Sequence, residues 1–93
     1  MLLNNPVYPG IDAKADSLIP SAFSGDPKRA TVTFSTPFAD TGYSIVFSVI
    51  TNGAKTFSPA AENKTANGFQ INLHSNNVAN LIEVGWQAIK AGE

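Results

Sequence analysis

An antiparallel β-sandwich of about six strands is the fold predicted by this sequence, and three observations carry that prediction. From Ala30 onward apolar residues recur at every second position. Turn-forming residues punctuate the runs, as in a half-buried antiparallel sheet. A composition of 43% hydrophobic and 14% charged residues is too apolar and too weakly charged for disorder. The 93 residues suit one domain, whose folding at this size buries only about 60 to 65% of the surface that the unfolded chain exposes. A core that thin gains from association.

Residues 1–29 read as a Pro/Gly-rich lead-in or attachment segment, because they hold four of the six prolines together with Gly10 and Gly25. Within them, 12–19 suits a short helical turn with Asp12 as cap and Pro20 as stop. The sandwich domain is assigned to 30–93. Its first run, 31–34, sets Val32 and Phe34 on one face. A turn region with Pro37, Asp40 and Gly42 leads into the second run, 43–51. Asn52 and Gly53 both tolerate positive φ, so this dipeptide is the strongest hairpin signal and is expected to join the second run to a third. The third run, 55–66, contains Pro59, which cannot donate to a ladder and suits an edge or a bulge. After a second turn at Asn67 and Gly68, Phe69, Ile71 and Leu73 alternate with Gln70, Asn72 and His74. A polar loop, 75–80, precedes a last strand in which Ile82, Val84, Trp86 and Ala88 are expected to share one face.

The run 43–51 is apolar in both phases: Tyr43, Ile45, Phe47 and Val49 in one, Val46 and Ile50 in the other. One face is covered by the opposite sheet, and the other needs the lead-in or another subunit. A subunit is the preferred cover, which makes Tyr43, Ile45, Val46 and Ile50 the candidate interface residues.

Charge and residue counts narrow the chemistry. The net charge is −1, and the six Lys and Arg residues are scattered, so a nucleic-acid partner is not expected. With no cysteine, disulfides and thiolate metal sites are excluded, and with His74 as the one histidine neither a His-based triad nor a multi-histidine metal site is expected. Residues 1–10 lack a basic segment followed by a long apolar run, and nothing approaches ~18 continuous apolar residues, so membrane insertion is not expected either. Glu62 and Glu83 are the glutamates of the strand runs, whereas glycoside hydrolysis needs a facing carboxylate pair. No phosphate-binding glycine loop occurs. The expectation is a non-enzymatic domain with no catalytic residue, cofactor or metal.

His74, Asn76, Asn77 and Asn80 form a polar group whose amides both donate and accept, as sugar hydroxyls require, and they are the candidate ligand contacts. The same residues favour turns for local reasons, and a purely structural loop is the default reading of them. Trp86 and Tyr43 have rings suited to sugar stacking, but Trp86 falls in phase with Ile82 and Val84 and is read as core.

The order of these features resembles the H-type lectin-like sandwich, including the related C-terminal domains of bacteriophage tail fibres. The resemblance is carried by Val32, Thr33, Phe34, Pro37 and Phe38, the strand 43–51, the segment from Asn63 through Lys64, Thr65, Ala66, Asn67 and Gly68 to Phe69, and the segment Val84, Gly85, Trp86, Gln87, Ala88, Ile89. It covers about residues 30–90. It implies a homotrimeric receptor-binding tip domain in the virion tail, assembled in the host cytoplasm beside other tail proteins and meeting a host-surface glycan or polysaccharide. The alternative is a purely structural capping or attachment domain without a host ligand. One departure stands out: sugar-binding lectins of this type use an arginine with acidic partners on the third strand, whereas residues 60–64 here read Ala, Ala, Glu, Asn, Lys and the only arginine, Arg29, lies elsewhere in the chain.

Overall fold

Alternation sorts the side chains into layers. In the segment Gly68–Asn72 and just beyond it, Phe69, Ile71 and Leu73 are buried, and in Leu81–Ala91 the buried set is Leu81, Val84, Trp86 and Ala88. These two strands are the central members of two sheets, so their apolar sides meet in the middle. The computed structural model describes residues 11–53 and 55–91. The strands are β1 (Ile11–Leu18), β2 (Arg29–Thr33), β3 (Ser44–Thr51), β4 (Ala60–Thr65), β5 (Gly68–Asn72) and β6 (Leu81–Ala91), with a 3-10 turn at Pro20–Ala22. They form two antiparallel three-stranded sheets, ordered β1-β6-β3 and β2-β5-β4. The expected antiparallel sandwich is the fold.

Three local expectations are corrected. Residues 12–19 are not a helical turn: β1 pairs with β6 from Ile11 opposite Ala91 to Leu18 opposite Val84. A lone helical turn fixes several dihedrals for one hydrogen bond, whereas the free edge of β6 offers a ladder along the whole segment. The first sheet therefore begins at Ile11 rather than Ala30, and the first ten residues of the lead-in lie outside the described residues. Asn52 and Gly53 do not close a hairpin, since β3 and β4 belong to different sheets. Gly53 does adopt a φ of +94°, but the chain crosses to the other sheet there, and the Asn52 backbone N–H donates to Asn80 O at 3.0 Å. Ile82 is not in phase with Val84. Ile50 pairs with Glu83 and Thr51 with Leu81, so Ile82 is the extra residue of a bulge and is 50% exposed.

The weak third run behaves as its proline suggests. β4 starts directly after Pro59, lies at a sheet edge and carries a bulge between Glu62 and Thr65, where Asn63 has a φ of +52°. The Asn67-Gly68 turn closes the β4–β5 hairpin. Here glycine is required, because a Cβ at Gly68 would run into the carbonyl oxygen of Val32.

Aromatic rings fill one end of the core. Phe34 meets Phe38 edge-on at 5.2 Å, Phe69 meets Trp86 edge-on at 5.5 Å, and Phe38 stacks on Tyr43 at 4.5 Å. Such pairs add about 0.5–1.5 kcal/mol each beyond area burial. Tyr43 directly precedes β3 of the first sheet, yet its hydroxyl lies 2.7 Å from Thr65 O and 3.0 Å from Gly68 O in the second. One phenolic proton is thus shared between two carbonyls of the β4–β5 hairpin. Lys64 returns the contact, donating to Tyr43 O at 2.7 Å with its ammonium 4.8 Å from the ring centroid.

Replacing Tyr43 by phenylalanine removes the shared donor and is expected to cost about 1–3 kcal/mol, read as a lower urea midpoint at unchanged m-value. Burial also raises the Tyr43 pKa, since the phenolate would have to form away from water. The folded state therefore holds this proton more tightly than the unfolded chain. Its contribution is full below the ordinary tyrosine value of about 10 and declines as pH rises beyond it. The Tyr43→Phe variant should show a shallower alkaline loss of stability than the wild type, and equal slopes would contradict the assignment.

Candidate functional site

The outward face of β2-β5-β4 is polar. Register sets Arg29 and Ala60 on either side of Asn72, and Thr31 and Glu62 on either side of Gln70. Arg29 Nε donates to Glu62 Oε1 at 2.8 Å, and Asn72 Nδ2 donates to Glu62 Oε2 at 2.9 Å. Asn72, only 4% exposed, uses its Oδ1 to accept the His74 backbone N–H at 2.8 Å. Asn63 Nδ2 donates to Gln70 Oε1 at 2.7 Å, extending the network along the sheet. The Arg29 guanidinium, helped by the Asn72 amide, holds the Glu62 carboxyl below the usual carboxylate range. The separation of Arg29 from the acid of the third strand is thus confined to the sequence: β5 brings β2 and β4 together and pairs the two across it.

The candidate ligand residues lie beside this network. His74 is exposed with a φ of +56°, and its Nδ1 is 2.6 Å from Ser58 O. A carbonyl only accepts, so Nδ1 carries the proton. Asn77 Oδ1 accepts the Ala79 N–H at 3.1 Å and lies 3.4 Å from Lys55 Nζ. Asn80 has a φ of +71°, and its Oδ1 accepts from Asn52 Nδ2 at 3.0 Å. These three side chains are engaged: Asn77 braces its own loop at Ala79, and all three tie the loop to residues 52–58. Asn76 is exposed, and no hydrogen bond from its side chain occurs among the described residues.

The candidate interface residues separate into three environments. Tyr43 is 2% exposed and belongs to the core, so its assignment to an outward interface is corrected: its ring phase follows the inter-sheet hydrogen bonds. Ile45 is half-buried and packs against the core from its margin. Val46 and Ile50 are 55% and 45% exposed on the outward face of β1-β6-β3. Sequence reasoning missed Ile89, an exposed member of the same face, and Ile82 at its bulged end. Alternation along 81–91 would have exposed Ile89; only the bulge could reveal Ile82.

That outward face is built from cross-strand rows: Ala13, Ile89 and Ser44; Ala15, Gln87 and Val46; Ser17, Gly85 and Ser48. Glu83, beside Ile50, is the charged residue of these outward rows. The row of two serines and a glycine lacks bulk and lies in a trough of about 500 Å³, with Val46 on its rim.

Glu62 and Glu83 lie on the two opposite outer faces, so they cannot flank a single glycosidic bond. Among the described residues, no group of three or more His, Asp and Glu side chains is arranged to hold a metal ion, and no helix is long and apolar enough to cross a membrane. Fold and surfaces define a small all-β sandwich with one hydrogen-bonded polar outer face and one that carries exposed aliphatic side chains and little charge. No family model, curated protein or solved structure matches the chain.

The Arg29–Glu62 contact has a testable acid signature. A depressed carboxyl pKa stabilises the fold above the unfolded glutamate value of about 4.3, and the contribution is lost as pH falls through the folded value. Arg29→Met, which keeps the aliphatic stem, should flatten the acid limb of a stability–pH profile measured by urea unfolding. A limb as steep as that of the wild type would show that Arg29 does not set the Glu62 titration.

Proposed function

We propose that this domain is a non-catalytic assembly and adhesion module, a homotrimeric tip of a phage tail fibre that presents polar surfaces to a host glycan. The observation that carries the assembly half is the contrast between the two outer faces. One is covered with hydrogen-bonded polar groups, while the other sets Val46, Ile50, Ile82 and Ile89 in water with little charge among them. Exposed apolar area of this kind marks a protein contact when it is contiguous and rimmed by polar groups.

A second copy of the chain is the occupant best suited to it. The face is nearly free of charge, so copies meet with little like-charge repulsion, and the trough at Ser17, Gly85 and Ser48 lies beside the Val46 ridge that a neighbouring copy would insert. The resemblance of the segments 63–69 and 84–89 to phage tail-fibre tips supports the trimeric and virion parts of the reading. Trimerisation would also repeat any weak host contact on a rigid frame, raising avidity without new contacts.

A second reading, a capping or attachment domain with no host ligand, is favoured by one feature. Asn77, Asn80 and His74 are taken up by hydrogen bonds within the loop and to residues 52–58, which leaves Asn76 as the candidate amide open to a partner. Glycan-array binding that survives Asn76→Ala and Asn77→Ala would remove these loops from the adhesive account.

Light scattering of the full chain at micromolar concentration should give three times the 9.8 kDa protomer mass. The double substitution Val46→Lys and Ile50→Lys, at exposed positions, should yield a monomer with an unchanged circular dichroism spectrum. A monomeric wild type would overturn the assembly reading.

A further inference from the structure

The edge strands β1 and β2 belong to different sheets, and a cleft of about 400 Å³ opens between them and the segment that follows β2. Lys14 and Asp16 line it from β1; Thr33, Ser35 and Thr36 line it from the other side; Phe34 and Trp86 form its aromatic part. Asp16 is the register partner of Trp86, so the carboxylate and the indole project to the same side of the sheet.

The polar groups here are unusually free. Asp16 Oδ1 accepts the Ser17 N–H at 2.8 Å, which leaves Oδ2 as an open acceptor. The hydroxyls of Thr33, Ser35 and Thr36 have no hydrogen bond among the described residues. Trp86 Nε1 is buried without an acceptor among them, a rare condition for an indole N–H. Lys14 is already committed: its ammonium lies 3.6 Å from Asp12 and 4.6 Å from the Phe38 ring centroid. A ligand that meets the open oxygen of a carboxylate, three hydroxyls and aromatic carbon needs groups that both donate and accept, plus an apolar side, and it should carry no negative charge. A neutral sugar ring has that chemistry. The volume is at the low end for ligand pockets, which suits one ring rather than a long chain.

We propose that this cleft binds a neutral pyranose unit, with Asp16 and the Ser35 and Thr36 hydroxyls taking its hydroxyl groups and its apolar side resting on the small parts of the otherwise buried Trp86 and Phe34 that line the cleft. The proposal deepens the glycan half of the function above and rests on it. It assigns the contact to the β1–β2 edge instead of the 74–80 loop. Asp16 and Trp86 also line the trough on the alanine-row face, so the cleft and the assembly face adjoin at β1, while Ser35 and Thr36 lie on the cleft alone.

Trp86 is the only tryptophan, so its fluorescence reports on the cleft directly. The full chain is titrated with the methyl glycosides of glucose, galactose and mannose and of N-acetylglucosamine. At least one should give a saturable change with a Kd on the order of 1 mM. Asp16→Ala and Thr36→Ala, both at exposed positions, should weaken it about tenfold while leaving the thermal melt in place. No saturable change with any of the four, or an equal response in both variants, overturns the proposal. Light scattering on the same samples separates the two readings: a trimer blind to sugar refutes the cleft alone, and a sugar-binding monomer refutes the assembly alone.

Discussion

The hydroxyl of Tyr43 is the polar tie on which the two-layer arrangement depends. It reaches from the start of β3 in one sheet to the carbonyls of Thr65 and Gly68 in the other, through a core in which the neighbouring groups are apolar. Apolar burial pulls the sheets together without choosing their relative position; a directional bond to a particular hairpin does choose. Gly68 makes the hairpin available by letting the chain pass against Val32, and Lys64 closes the ring of contacts from the opposite strand back to Tyr43. Lysine ammonium groups cap the aromatic end of the core, Lys14 over Phe38 and Lys64 over Tyr43. A small domain thereby shields more ring surface than its own strands could enclose.

The two outer faces answer different physical demands. On β2-β5-β4, Arg29, Glu62, Asn72 and Gln70 satisfy one another laterally, so that surface is finished in water. On β1-β6-β3 the alanine, serine and glycine rows offer little to solvent and little bulk, and Val46 and Ile50 stand above them. The sandwich edge between β1 and β2 is a third kind of surface, open and incompletely bonded, with polar groups at the rim of an aromatic floor. The proposed assembly face and the proposed sugar cleft are thus separate surfaces that meet at β1.

The strands after residue 30 were legible because burial on one face writes a period of two into the sequence, and β5 shows this most clearly. β1 was not, for a physical reason: Asp12, Lys14 and Asp16 occupy the inward phase at an open edge, while Ala13 and Ala15 face outward, so the usual polar-out rule is inverted. Of Asn52 and Gly53 only Gly53 takes the positive φ expected of both, and a dipeptide encodes its own φ and not the identity of the neighbouring strand. The same limit hid the Arg29–Glu62 pair, which exists only because both flanking strands register on β5. Tyr43 misled through its phase with the apolar set of 43–51, since a large amphipathic ring at a strand start reads alike in a core and on an interface. Of the ligand candidates, the asparagines were visible by composition, whereas the cleft needed Asp16, Thr36 and Trp86 to be drawn together from three separate segments.

The bulge in β4 also governs how this domain behaves in company. With Asn63 in a left-handed conformation and Lys64 turned to Tyr43, the outermost strand of that sheet is kinked and lacks a continuous straight run of free amide and carbonyl groups. Another chain has no even template to extend there, so head-to-edge polymerisation through β4 is discouraged. Molecules packed at high local density, as in any multi-copy particle, are in this way kept from fusing into continuous cross-strand fibres along that border.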